Sequence, residues 1–423
     1  VSVNSRIPGF KDSTPEQRRS VLAERTGLAA DDLAVLRPDA GLAVEQADHM
    51  IENVVGVMGI PVGVATNFVI NGRDRLVPMA TEEPSVVAAA SNAARMARVH
   101  GGFHTSSTPP VMQAQVQLLD CTDPHSARLR ILEARREIVD LANAQDPMLT
   151  TFGGGAQDIS VRIVPTRTGV HVVTHLHVDV RDAMGANAVN TMAEAIAPRL
   201  AELAGGRPLM RILTNKADLR LTRARAVFDQ DMLGGRDVVE NIVHASALAE
   251  SDPYRAATHN KGIMNGITAA VLATGNDTRA VEAGCHSHAV VEGAYRSLSR
   301  FEMTAAGDLT GILEVPMPVG LVGGATKVHP VAQAAVKVLG VTSAIELAEI
   351  VVAVGLAQNL AACRALASEG IQRGHMSLHA RTVAASAGAT TAEMDGVVAR
   401  LIADRAIRVD HAERVLAELR AGN

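Results

Sequence analysis

The sequence predicts an α+β fold, with a large mainly helical domain around one long central helix, a compact mixed domain inserted into it, and a C-terminal helical flap. Three observations predict it. Ser343 to Ser368 reads as a helix with apolar residues on every side, among them Leu347, Ile350, Val351, Val354, Leu356 and Leu360. Such a helix is either buried in a sizeable core or spans a membrane. Glu346, Glu349 and Arg364 interrupt the run, so no window of about 18 charge-free residues exists and a core helix is expected. Residues 109–214 read as β-α-β-β-α-β, and beyond 375 two short helices follow a glycine-flanked turn.

Composition bounds the rest. With 423 residues, 47% apolar and 20% charged, the chain suits a globular protein of two or three domains. A net charge of -5 with no long basic run leaves nucleic acid without a docking surface. Cys121, Cys285 and Cys363 are far apart and lack CxxC spacing, which argues for a reducing, cytoplasmic setting and against a zinc or disulfide framework. The N-terminal residues lack the apolar stretch of a signal peptide, and no membrane partner is expected. With aromatics at only 2%, the core has to be built from aliphatic side chains.

In chain order, Thr14-Pro15-Glu16-Gln17 starts a helix that Gly27 stops. A helical pattern covers Ala43 to Val57. Strands Val62 to Ile70 and Arg75 to Met79 meet at Asn71-Gly72, a hairpin signal. Thr81 to Ala90 places two acids and a serine at the start of a small-residue helix. Then come strand Val111 to Leu119, helix Ser126 to Asn143, strands Ile159 to Val164 and Val170 to Val180, helix Asn187 to Leu203 and strand Leu209 to Leu213. That order is a split-βαβ, ferredoxin-like unit. It divides the large domain into 1–108 and 215–375. Gly370 and Gly374 suggest a hinge, after which Thr390-x-x-Glu393 and Asp410-x-x-Glu413 start the two helices of a flap, 376–423, able to swing as a lid.

Four stretches carry more polar chemistry than folding asks for. Glu82-Glu83-Pro84-Ser85 sits at a helix start, where acids also simply suit the dipole. Asp252 to Gly266, followed by Gly275-Asn276-Asp277, gathers Arg255, Lys261 and Asn265 between apolar segments. A lysine beside a carboxylate can stabilise an oxyanion, and a structural salt bridge accounts for Lys261 and Asp277 about as well. Arg181 to Asn187 joins a strand to a helix and suits a pyrophosphate, or is a plain turn; it is not GxGxxG. His375 and His379, four apart, fit a proton donor on a moving lid better than a metal pair. Gly320 to Lys327 only partly matches a P-loop. His171, His175 and His177 read as one strand face, and Cys285 and Cys363 as core residues.

Together these stretches resemble 3-hydroxy-3-methylglutaryl-coenzyme A reductase in its soluble class II form. The matching motifs are Glu52-Asn53-Val54-Val55-Gly56, Glu82 to Ser85, Asp182 to Asn187, His259 to Gly266, Gly275 to Asp277, Met317 to Lys327 and Gly370 to Arg381, in the family's order. The resemblance implies a four-electron reduction of the HMG-CoA thioester to mevalonate and coenzyme A with two NAD(H), or its reverse. It implies Glu83, Lys261, Asp277 and His375 as the catalytic set. Lys261 would hold the developing oxyanion, Asp277 would hydrogen-bond and tune Lys261, Glu83 would protonate the later aldehyde, and His375 the departing thiolate. Ser85, Arg255 and Asn265 would grip the hydroxymethylglutaryl group. The inserted domain would bind cofactor through Asp146, Asp182, Met184, Gly185, Ala186, Asn187 and Asn215. Asp146, facing the adenosine ribose, would favour NADH over NADPH. The family also implies a homodimer with shared active sites. A reductase of another acyl-CoA and a non-catalytic dimeric scaffold are the alternatives. Ser85, Arg255 and Asn265 speak against the first, and the full catalytic set against the second.

Overall fold

The structure is a computed structural model that describes residues 3–37, 39–368, 371–390 and 392–421, and for 371–378 the backbone alone. Its strands are β1 Val62–Ile70, β2 Arg73–Ala80, β3 Phe103–Ser107, β4 Val111–Leu119, β5 Gly155–Thr166, β6 Gly169–Asp179, β7 Arg207–Leu213 and β8 Leu221–Phe228. The two-residue strands β9 Val290–Val291 and β10 Ala294–Tyr295 follow, then β11 Ser299–Met303 and β12 Leu309–Pro316.

Six strands form one sheet in the order β11-β12-β8-β3-β1-β2, antiparallel except where β1 meets β3. The sequence pattern marks only β1 and β2 of these, so the large unit is less purely helical than it reads. The β1–β2 hairpin turns on Asn71 and Gly72, both at positive φ (48° and 76°), the backbone that a two-residue loop needs to match strand twist. Side chains alternate: Thr222, Ala224, Ala226 and Phe228 of β8 point inward while Arg223 and Arg225 face out.

Against the inner face lies the core helix Ala344–Ala367, buried along most of its length and capped by Ser343, whose side chain accepts from the Glu346 N–H. Its length and composition would suit a membrane span, but it is packed inside the protein. It crosses the helix Pro253–Ala273, called here the lysine helix. At the crossing a Cβ on Gly355 would come 2.7 Å from Ile267 and 3.2 Å from Leu313, so only glycine permits the approach.

β4, β5, β6 and β7 form a second, antiparallel sheet in the order β5-β6-β4-β7, the ferredoxin-like order. Helices Pro124–Glu133, Arg135–Asn143 and Ala186–Ala204 close a separate apolar cluster with it, running from Met112 to Ala217. The helix expected over Ser126–Asn143 is two, broken at Ala134. His171, His175 and His177 do share a strand face, tied to Gln117, Gln113 and Ser160.

At the N-terminus Thr14 and Gln17 form the expected capping box, and Gly27 ends the helix at φ 70°. Other expectations need correction. The helical pattern of Ala43 to Val57 yields only Val44–Asp48, because Asn53 takes a left-handed φ of 57° and the residues from Val55 on are exposed. Gly374 is no hinge: the helix Ile371–Ser386 runs through it. That helix joins Met394–Ala403 and Val409–Ala421 in a third apolar cluster. Asp410 lies inside its helix and pairs with Arg408 rather than capping.

Candidate active site

β2 runs into the turn that holds Glu83, and the Thr81 hydroxyl anchors that turn by accepting the Glu83 N–H at 3.1 Å. From there Glu83 meets the lysine helix. One carboxylate oxygen takes the Lys261 ammonium at 2.9 Å and the other takes the Asn265 amide at 3.3 Å. Lys261 and Asn265 are four residues apart, hence neighbours on one helix face. The cluster remains open to solvent, with 60% of the Lys261 side chain and 39% of the Glu83 side chain exposed. Ser85, two residues on, sits at φ 77°, a conformation rarely tolerated outside glycine, and its hydroxyl caps nothing.

Arg255 is held on the flank of the same helix, near His259 and Cys363, and its guanidinium has no carboxylate partner among the described residues. Burial, with Arg255 nearby, pulls the His259 imidazole down to about 4. His259 is thus a neutral tether: its Nε2 meets the Ser299 hydroxyl at 2.7 Å, and the Asn359 amide donates to its carbonyl at 3.4 Å. This network fixes the lysine helix to β11 and to the core helix. Burial raises the thiol of Cys363 to about 12, in keeping with a core role.

Asp277 does not join Lys261 within the chain. Its carboxylate caps the next helix, accepting from the Arg279 and Ala280 N–H groups at 3.0 and 3.1 Å, and Arg279 is its ionic neighbour. The Asn276 N–H bonds the Val271 carbonyl, and Val271 is ten residues, about 15 Å, down the helix axis from Lys261, so Asp277 lies at the far end of that rise. There it adjoins the loop at 317–324, whose Gly320 N–H donates to the Asn276 side chain at 2.7 Å.

That loop leans on the turn after β6. A Cβ on Gly320 would lie 2.5 Å from the Met184 nitrogen, and the Leu321 N–H donates to the Asp182 carbonyl. Gly185 opens the helix Ala186–Ala204 at φ 102°, and Asn187 is exposed in its first turn. The Asp182 carboxylate has a structural task, accepting the Ala344 N–H of the core helix at 2.7 Å. Asp146 is half-buried and uses one oxygen to cap the Leu149 N–H. Its loop returns to Gly153, whose carbonyl accepts from Arg181 at the same turn. Asn215 is exposed, without a side-chain partner among the described residues. The His375 side chain lies outside the described residues.

Sequence reasoning missed Arg220. It is 5% exposed, and its guanidinium donates to the carbonyls of Ala183, Met184 and Val319, strapping the turn to the loop. Burial brings it down to about 10. A lone arginine before a strand gives no sequence signal. Also unanticipated are His100, Asp229 and Asp308, whose ligand atoms lie within 4.8 Å of one another, with His100 3.4 Å from Asp308.

Residues 14–380 match the family model described as hydroxymethylglutaryl-coenzyme A reductase. The chain belongs to that family. It is 53% identical over 421 residues to the 3-hydroxy-3-methylglutaryl-coenzyme A reductase of Archaeoglobus fulgidus, covering 99% of this chain and 96% of that one. A solved reductase from Streptococcus pneumoniae superposes with a TM-score of 0.84 at 41% identity, covering 97% of this chain and 99% of that chain. A class II structure from the same organism, bound to NADPH in open conformations, gives 0.83 at 40% identity over 85% and 99%. As a member of the hydroxymethylglutaryl-CoA reductase family the chain is an oxidoreductase that takes hydroxymethylglutaryl-CoA to mevalonate.

Proposed function

We propose that the chain performs this reduction with NADH in preference to NADPH, at sites that two copies complete together. The observation that carries the reading is the separation of Asp277 from Lys261. Glu83, Lys261 and Asn265 cluster at the middle of the lysine helix, and Asp277 stands beyond its C-terminal end, next to Asn276, which binds the loop that leans on the Met184 turn. A second copy related by a two-fold axis would bring its Asp277 and turn to this copy's Lys261. The exposed apolar residues Ile51, Val55 and Met58 (65%, 101% and 83%) support a partner covering that segment.

In this reading 109–214 is a nicotinamide-binding domain within a large domain of 1–108 and 215–375, and 376–423 is a flap that begins within the helix Ile371–Ser386, directly after His375. The turn at 182–187 fits a dinucleotide. Gly185, whose positive φ and packing on Val180 leave no space for a Cβ, opens a helix whose N-terminus favours a pyrophosphate. Met184, Ala186, Asn187 and Asn215 would line it. Asp146, with one oxygen free, would accept from an adenosine 2′-hydroxyl and repel a 2′-phosphate. A reduced nicotinamide bound there supplies the hydrides. Lys261 holds the substrate oxygen as charge develops on it, and Asp277 of the other copy braces Lys261. Glu83 delivers a proton, Ser85, Arg255 and Asn265 orient the hydroxymethylglutaryl group, and His375 protonates the thiolate that leaves. The cysteines are all unpaired, which supports a cytoplasmic setting.

The test follows reduced-nicotinamide absorbance with hydroxymethylglutaryl-CoA, comparing NADH and NADPH for wild type and Asp146→Ala. Consumption of about two NADH per thioester, NADPH slower, and a narrower gap in the variant are expected. NADPH used faster by wild type would overturn the role given to Asp146 and leave the reaction standing.

A further inference from the structure

The outer face of the six-stranded sheet carries a cavity that this reaction does not use. One row of side chains crosses four strands there: His104 lies opposite Arg225, Arg225 opposite Ile312, and Ile312 opposite Arg300. Neighbouring strands are about 4.8 Å apart, so the two arginines stand roughly 10 Å apart with an isoleucine between them. They help line a cavity of 820 Å³, in the range of roughly 300–1,000 Å³ that small-molecule sites occupy.

The charge in it does not cancel. Glu314 pairs with Arg223, while Glu250 and Glu302 pair with Arg300 at 3.9 and 2.7 Å. Arg296 reaches only the backbone carbonyl of Glu250, at 3.2 Å. The side chains of Arg225 and His104 have no hydrogen-bond or ionic partner among the described residues. Beside the cations lie the exposed side chain of Ile312 and the edge of Leu298, which offer apolar contact.

One wall is set in advance by buried hydrogen bonds. The Ser299 hydroxyl donates to the Asn359 side-chain oxygen at 2.7 Å, the Asn260 side-chain oxygen accepts the Leu298 N–H at 2.9 Å, and the Asn260 side-chain amide donates to the Arg296 carbonyl at 2.8 Å. A wall already ordered lowers the cost of binding.

We propose that this cavity is a second ligand site, which takes a small amphipathic anion: its phosphate or carboxylate head on Arg225 and Arg296, its apolar part on Leu298 and Ile312. The test is calorimetric titration of the full chain, with saturating coenzyme A present, using n-octyl phosphate, octanoate and inorganic phosphate. Saturable binding of n-octyl phosphate or octanoate is expected, with inorganic phosphate weaker; whichever of the two binds tighter names the head group. Arg225→Gln should weaken that probe by roughly tenfold or more, the scale of one charge-assisted hydrogen bond. Arg225→Lys should restore part of the loss, and KM for hydroxymethylglutaryl-CoA should stay the same in both variants. No saturable binding, equal binding to Arg225→Gln, or displacement by coenzyme A would each overturn the proposal. So would dissociation of an oligomer by Arg225→Gln, since the face would then be a contact between copies.

Discussion

The Lys261 ammonium stands 2.9 Å from the Glu83 carboxylate, joining residues 178 positions apart in the chain. Exposed as this pair is, its worth to stability is within about 1 kcal/mol. Glu83→Gln should therefore leave the melting temperature almost unchanged while turnover falls roughly 100-fold or more, the usual scale for losing a proton-transfer group. Steady-state rates and thermal melts on one preparation decide it. A stable, active variant would remove Glu83 from the chemistry.

Separation of Asp277 from Lys261 makes complementation possible. Lys261→Ala and Asp277→Asn should each be nearly inactive alone. Mixed and re-equilibrated in equal amounts, half the dimers pair unlike chains and each has one intact site, so activity should return to about a quarter of wild type. If the mixture stays inactive although hybrid dimers are detected by mass, both residues serve one chain's site.

Ser85 separates strain from function. Ser85→Gly should raise stability by about 0.5–1 kcal/mol by relieving the positive φ, and raise KM for hydroxymethylglutaryl-CoA through loss of the hydroxyl. Ser85→Ala should raise KM without the gain in stability. Chemical denaturation and substrate titrations report the two effects separately, and an unchanged KM in both variants would sink the binding role.

His259 makes stability fall in acid. Its folded value of about 4 lies below its ordinary 6.5, so between those pH values only the unfolded chain holds the proton. The stability is complete above pH 6.5 and is lost as pH falls towards 4, by up to roughly 3 kcal/mol. Urea unfolding at pH 7 and 4.5 should show a smaller drop for His259→Gln than for wild type. Equal drops would place the acid sensitivity elsewhere.

Some of this was legible in the sequence for local reasons. The core helix announced itself because residues apolar all round have nowhere else to go, and the inserted sheet because alternation and turn residues are short-range signals. Glu83, Lys261 and Asn265 lie in motifs, and the structure joins them. The strands β3, β8, β11 and β12 were not legible: their pairing partners are remote, and β8 carries arginines on its outer face. Arg220 escaped because its three acceptors are backbone carbonyls, which carry no residue identity. That Asp277 and Lys261 of one chain stand apart was not legible, because motif order says nothing about how far a helix carries two residues from each other.

The Asp182 carboxylate that accepts the Ala344 N–H has a wider consequence. An inserted domain invites treatment as a cassette to be deleted, or exchanged with a relative to alter cofactor choice. Here the cassette contributes an acceptor to the first turn of the helix on which its host is built, and Arg220 stitches the same turn to the host's 317–324 loop. Excision would leave a core-helix donor orphaned, and a transplanted domain would have to bring its own carboxylate in register. The seam is therefore a poor place to cut.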